Sequence, residues 1–208
     1  MMAHPAAPAR PSRWPVLVAL LASLFLSGCG INTIPTLDEE VKAAWSQVLN
    51  QYQRRADLIP NLVETVRGYA AQERETLTAV VEARAKATQT QIPPDILTNP
   101  EAFQRFQQNQ DALTNALSRL MVVVERYPDL KSNQNFLQLQ AQLEGTENRI
   151  AVARRDYIQA VQRYNTEIRT FPGIIWATIL YRDAKVKENF QAQSGAEQAP
   201  RVDFGRKS

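Results

Sequence analysis

Residues 38–69 read DEEVKAAWSQVLNQYQRRADLIPNLVETVRGY. Apolar side chains return in this stretch at alternating steps of three and four: Val41, Trp45, Val48 and Tyr52, then Ile59, Leu62, Val66 and Tyr69. An α-helix turns once in about 3.6 residues, so this spacing lines the side chains up in one stripe along one side. Leu77 and Val80 carry the stripe on to about Thr88. Asp38, Glu39 and Glu40 place negative charge where the helix is expected to start, at the positive end of its dipole. Pro60 falls inside the stripe, removes one amide donor and crowds the carbonyl four residues back. A kink between Ala56 and Asn61 is expected, with a full break into two helices as the alternative.

Two further stripes follow. Thr90–Pro100 holds Pro93, Pro94 and Pro100 and reads as a loop. Phe103, Phe106, Leu113, Leu117, Leu120, Val124 and Tyr127 then form a second helical stripe that stops at Pro128. A third begins near Asn133 or Asn135, both suitable N-caps, and carries Phe136, Leu139, Leu143, Ile150, Ala153, Tyr157, Val161, Tyr164 and Ile168. Pro172 ends it, and Ile174–Tyr181 reads as a short fourth helical piece. No segment alternates with period two, and no Asn-Gly hairpin signal is present. Three long helices, each with one apolar stripe, must bury those stripes against one another. The expected fold is all-α: an elongated antiparallel helical bundle of three long helices plus a short fourth. A first helix unbroken from 38 to 88 would be about 75 Å long.

Ahead of the bundle the chain has the parts of an export signal. Arg10 and Arg13 lie in a segment without acids, Val16–Leu26 is an apolar run, and Leu26-Ser27-Gly28-Cys29 resembles the lipobox of bacterial lipoproteins. Eleven helical residues rise about 16 Å, against about 30 Å of bilayer hydrocarbon. A cleaved leader is therefore expected rather than a spanning helix, an uncleaved anchor being the alternative. The expected organisation is a signal peptide at 1–28, a tether at 29–37 lipidated at Cys29, a helical domain at 38–188 and a flexible tail at 189–208. Such a protein sits outside the cytoplasm on a lipid bilayer. Gly30, in place of Asp, favours the outer membrane where the host has two. Two of the 24 Lys and Arg lie in the leader, so 22 remain against 21 Asp and Glu. A near-neutral chain without a basic stripe is not expected to bind nucleic acid.

Charged residues intrude on the stripes. Arg55 stands where the first stripe calls for an apolar residue, with Arg54 and Asp57 beside it. In the third stripe Glu144, Glu147, Arg149, Arg154 and Arg155 crowd the positions where apolar character weakens, together with Asp156. A buried charge needs a partner, so Arg55 is expected to meet Glu144 or Glu147 across the bundle. Such pairs fix helix register; the competing reading is a polar pocket. Ile175, Trp176 and Ile179, with Ile174 and Leu180, either cap the core or form an apolar interface. Helical-bundle metal sites use Glu-x-x-His spacing, and the only histidine is His4, in the leader. No glycine-rich phosphate loop, nucleophile elbow or Cys-x-x-Cys is present. No cofactor, metal or catalytic residue is expected.

Gln51–Tyr69, Leu143–Tyr157 with Tyr164-Asn165 and Phe171-Pro172, and Arg126-Tyr-Pro-Asp-Leu130 together resemble the LemA family. The resemblance runs from about Val41 to Phe190. It implies a mostly antiparallel four-helix bundle that is exported and membrane-attached, with no agreed biochemical activity and no catalytic residues to carry over. Many members resemble proteins held by an uncleaved amino-terminal helix. Cys29 departs from that pattern, and Lys185-Val186-Lys187 replaces a common Lys-Pro pair. The expected function is a non-enzymatic adaptor or scaffold for envelope or membrane proteins. The alternative is a ligand-sensing bundle that signals through a separate membrane protein. Direct membrane remodelling is disfavoured by narrow stripes and low net charge.

Overall fold

The computed structural model describes residues 30–89 and 92–191. All regular structure among them is helical: α1 (Thr33–Tyr69), α2 (Arg74–Gln89), α3 (Pro100–Val124), the single turn α4 (Pro128–Lys131), α5 (Gln134–Glu167) and α6 (Gly173–Ile179), with a 3-10 turn at Ile96–Thr98. The signal peptide, Cys29 and residues 192–208 of the expected tail lie outside the described residues.

The helix starts follow local chemistry. The Asn99 side chain accepts from the Ala102 amide at 3.1 Å, and Pro100 occupies the first turn of α3, where a missing amide costs nothing. Asn133 accepts from the Phe136 amide at 3.0 Å and opens α5. Pro128 stops α3 as expected but itself starts α4.

α1 and α5 are the long elements, about 55 and 51 Å at 1.5 Å per residue. They run antiparallel over their whole length. Glu40 pairs with Arg163 and Arg55 with Glu147, while Asn133 Nδ2 donates to the Tyr69 hydroxyl. α2 folds back along α1, and α3 returns beside α2, giving up-down-up-down order.

The first stripe is therefore a hairpin and not one long helix, and the turn falls at Ala70–Glu73 rather than at Pro60. α1 continues unbroken through Pro60, which is exposed. The Ala56 carbonyl that Pro60 cannot bond accepts instead from Arg84 Nε of α2 at 2.8 Å. The turn is held from outside: the Glu73 carboxylate accepts from Arg126 at 3.0 Å and from the Tyr127 hydroxyl at 2.8 Å. Two other boundaries differ from expectation. α1 begins at Thr33, inside the expected tether, so Asp38–Glu40 lie beyond the first turn. Asn189–Gln191, assigned by composition to the tail, are docked. Phe190 is a core residue, and Gln191 exchanges hydrogen bonds with the Gln107 side chain.

α2 covers only the distal half of α1. Over the other half the segment after α6 takes its place as an extended strap. The Glu188 amide donates to the Leu97 carbonyl at 2.7 Å, Tyr157 Oη donates to the Glu188 carbonyl at 2.8 Å, and Asn165 bonds both polar backbone groups of Lys187. The interior accordingly divides in two. One core, around Trp45, Tyr52, Phe103, Phe106, Tyr157, Tyr164 and Phe190, is aromatic. The other, around Ile59, Leu62, Val66, Val80, Leu113, Leu120 and Leu143, is mostly aliphatic.

Candidate functional site

Between the two cores lies a polar layer made of Arg55, Gln110 and Thr146, the buried polar residues among those described. Each stands at a stripe position, so helix periodicity points it inward whatever its chemistry. Arg55 is 1% exposed. Its Nη1 donates to Thr114 Oγ1 at 2.8 Å and to Glu147 Oε1 at 3.0 Å; Nη2 donates to Gln110 Oε1 at 2.8 Å and to the Gln110 carbonyl at 3.3 Å. The guanidinium lies 5.1 Å from the centre of the Tyr52 ring. Gln110 Nε2 reaches on to the Ala87 carbonyl at the end of α2. Thr146 turns its hydroxyl back to the Gln142 carbonyl of its own helix. One arginine from α1 thus ties α3 and α5, and through Gln110 touches α2. Burial pushes the Tyr52 phenol up, with Arg154 and Arg55 opposing it.

The remaining charges singled out from the sequence do not join this layer. Arg54, Asp57, Glu144, Arg149 and Arg155 are exposed. Asp57 accepts from Gln53, Glu144 from Gln140, and Arg155 lies 3.7 Å from Asp156. Neighbours on a helix are turned by about 100°, so charges crowded in sequence fan out around the axis. Arg154 is half-buried, with its guanidinium 4.4 Å from the Phe190 ring centre. Gln110 and Thr114 carry half of the layer and were not singled out. Gln110 was legible, since the second stripe needs a residue between Phe106 and Leu113.

Two surface features adjoin these elements. Between α3 and α5 runs an open groove of about 440 Å³, with Leu117, Met121 and Leu143 as its apolar lining and Glu144 and Glu147 as its acids. At the other end of the molecule, α6 splits the apolar set. Trp176 and Ala177 pack on the aromatic core, while Ile174, Ile175, Ile179 and Leu180 are exposed. Nearby, Asp38 binds Lys187 at 2.6 Å and Lys42 at 2.9 Å. Burial raises its carboxyl, but the two ammonium groups outweigh that and hold it below the ordinary carboxylate range. Among the described residues, no three His, Cys, Asp or Glu side chains converge as a metal site, and no helix is long and apolar enough to cross a membrane.

The architecture defines an elongated antiparallel helical bundle cross-braced by one buried arginine. The LemA family profile matches residues 44–204, and the chain belongs to that family. Its relatives include Magnetosome protein MamQ 2 of Paramagnetospirillum magneticum, 28% identical over 172 residues that cover 75% of this chain and 62% of the relative. Magnetosome protein MamQ of Magnetospirillum gryphiswaldense is 26% identical over the same shares. Protein LemA of Metamycoplasma hominis is 26% identical over 132 residues, 64% of this chain and 56% of the relative. The chain thus spans about three fifths of the length of these relatives.

Proposed function

We propose that this LemA-family protein is a non-enzymatic adaptor of the cell envelope, tethered to a bilayer by Cys29 or by the apolar run before it, and that it docks a helix of a partner protein in the groove between α3 and α5. The groove is the observation that carries the reading. Its floor is leucine and methionine, its rim is Thr114, Ser118, Asn148 and the two glutamates, and it is open along its length. An amphipathic helix with a basic residue beside its apolar face has the complementary chemistry. The polar layer beneath is cross-linking structure rather than a receptor: the Arg55 charge is already matched by Glu147. A ligand-sensing bundle would call for a charge held open for its ligand, which disfavours that alternative.

A photo-crosslinking residue at Ser118, in intact cells, is expected to capture a discrete membrane or envelope protein. The same residue at Arg54, on another face, is expected not to. A Cys29→Ser variant tests whether capture depends on the acylated tether. Equal labelling from both positions, or none from Ser118, would remove the groove as the docking surface.

A further inference from the structure

The end of the bundle that carries α6 combines three observations. Phe171 is 80% exposed, and Ile174, Ile175, Ile179 and Leu180 expose between 40% and 60% of their surface, all within ten residues. Around them Arg169, Arg182 and Lys185 are exposed, with Asp183 the one acid between Ile168 and Val186. The acids at the adjoining end of α1 are already engaged, Asp38 with Lys42 and Lys187, and Glu39 with Lys42. The third observation is position. The Trp176 indole fills the space beside the Gly30 α-carbon, its Nε1 3.2 Å from where a β-carbon would stand. Gly30 directly follows Cys29, and the apolar run Val16–Leu26 ends four residues earlier. Four residues reach at most about 14 Å.

We infer that the exposed face of α6, with Phe171 before it and Leu180 after it, rests on the bilayer surface, its apolar side chains in the headgroup boundary and Arg169, Arg182 and Lys185 on anionic phosphates. The inference rests on the membrane tether proposed above, and it holds for either form of that tether. An acyl chain on Cys29 and an apolar helix ending at Leu26 both bring Gly30, and with it Trp176, to within about 14 Å of the lipid. A large apolar face rimmed by cations at that distance has the composition of an interfacial helix. Three hydrophobic and electrostatic contributions then act together: the tether, the α6 face and the basic rim. The consequence is orientation. A single flexible point of attachment leaves the rod free to tumble, whereas a second contact fixes its base to the membrane and holds the distal hairpin turn away from it.

The test uses the full-length chain with Trp14→Phe, floated on vesicles of phosphatidylethanolamine and phosphatidylglycerol with brominated acyl chains. A tryptophan is placed at Ile179, on the α6 face, or at Val122, which is 71% exposed near the far end of α3, and each signal is read as the difference from the Trp14→Phe parent, which keeps Trp45 and Trp176. Ile179→Trp is expected to be blue-shifted and quenched several times more strongly than Val122→Trp. Adding Ile175→Ser is expected to lower that quenching while circular dichroism stays helical. If the chain floats but the two positions are quenched alike, the α6 contact is wrong and the tether stands. A chain that does not float loses the tether, and this inference with it. A blue shift at position 179 that is unquenched by lipid and disappears on dilution assigns the face to a second copy of the chain, which also overturns the inference.

Discussion

The two halves of the bundle fill the same cross-section by different means. The distal half has four helices, α1, α2, α3 and α5, and closes over leucine, isoleucine and valine. The half near α6 has only three long helices, because α2 ends at Gln89; the fourth side is an extended strap, with the short α6 packed at the end. A strap brings one side chain where a helix brings several. The deficit is made up by ring size: aromatic side chains bury roughly 150–250 Å² each and prefer tilted contacts. Trp45 is the hub, with ring centres of Phe106, Tyr157, Phe103 and Phe190 at 5.2, 5.4, 5.6 and 6.2 Å. Side-chain volume and helix count thus trade against each other, and the change-over falls at the Arg55 layer.

Trp45→Ala should therefore have the largest effect, a loss of about 3–5 kcal/mol, because four neighbouring rings lose their common contact. Urea unfolding followed by circular dichroism measures it. A cost below about 1 kcal/mol would mean that the rings decorate the core rather than build it. Hydrogen exchange sharpens the comparison: amides around Tyr157 and Leu97 should lose protection first, with those from Leu58 to Val66 following only at global unfolding.

Arg55→Ala comes next, at about 3 kcal/mol, since it strands Gln110, Thr114 and Glu147 around a hole at the junction. Glu147 is 38% exposed at its side chain and can rehydrate, so Glu147→Gln should cost only about 1 kcal/mol. The double variant should cost less than the sum of the two, because each removes the same contact. Additive costs would show that Arg55 holds the layer through Gln110 and Thr114 alone.

A smaller effect probes the distal half. Arg84→Met should cost about 1 kcal/mol by leaving the Ala56 carbonyl without its donor. In a Pro60→Ala background that carbonyl regains the helical amide at position 60, and the same substitution should become nearly neutral. If Arg84→Met costs the same in both backgrounds, Arg84 acts by packing and not by capping the carbonyl that proline frees.

How far these features were legible depends on whether their cause is local. The stripes, the Asn133 cap and the break in helix ahead of Pro100 are written in near neighbours, and the all-helical bundle follows from them. The full break at Pro60 does not occur, because its local penalty is offset by a side chain 24 positions further along the chain, at Arg84. The true turn at Ala70–Glu73 contains no proline, and Gly68 is its one local weak point; Arg126 and Tyr127 hold it from across the molecule. Phe190 was lost in a polar composition that carries a single core ring. At the candidate site Arg55 was conspicuous as a charge on an apolar stripe. Its partners on α3 were not, since Gln and Thr pass for surface residues until another helix covers them. The segments that resemble the LemA family supply both ends of this problem: Gln51–Tyr69 gives Arg55 and Pro60, Leu143–Tyr157 gives Glu147, and Arg126–Leu130 gives the latch on the hairpin turn.

The smallest expected effect concerns the strap that closes the aromatic half. Asp38 holds Lys187 of the strap, and its carboxyl lies below the ordinary range because Lys187 and Lys42 outweigh the burial that would raise it. A carboxylate depressed in the folded state binds its proton more readily when unfolded. Its contribution is therefore complete above the unfolded value of about 3.9 and is lost as pH falls through the lower folded value. The lysines stay charged throughout this window. Asp38 keeps 23% of its side-chain surface exposed and its partner Lys42 about half, so solvent still screens the cluster and the contribution should stay below about 1 kcal/mol. Urea midpoints of the natural chain and of Asp38→Asn should differ by a constant amount from pH 7 to about pH 4 and converge below it. Curves that stay parallel into acid would mean that Asp38 does not hold the strap. The aromatic half would then be closed by Phe190 and the backbone hydrogen bonds of Lys187, Glu188 and Gln191.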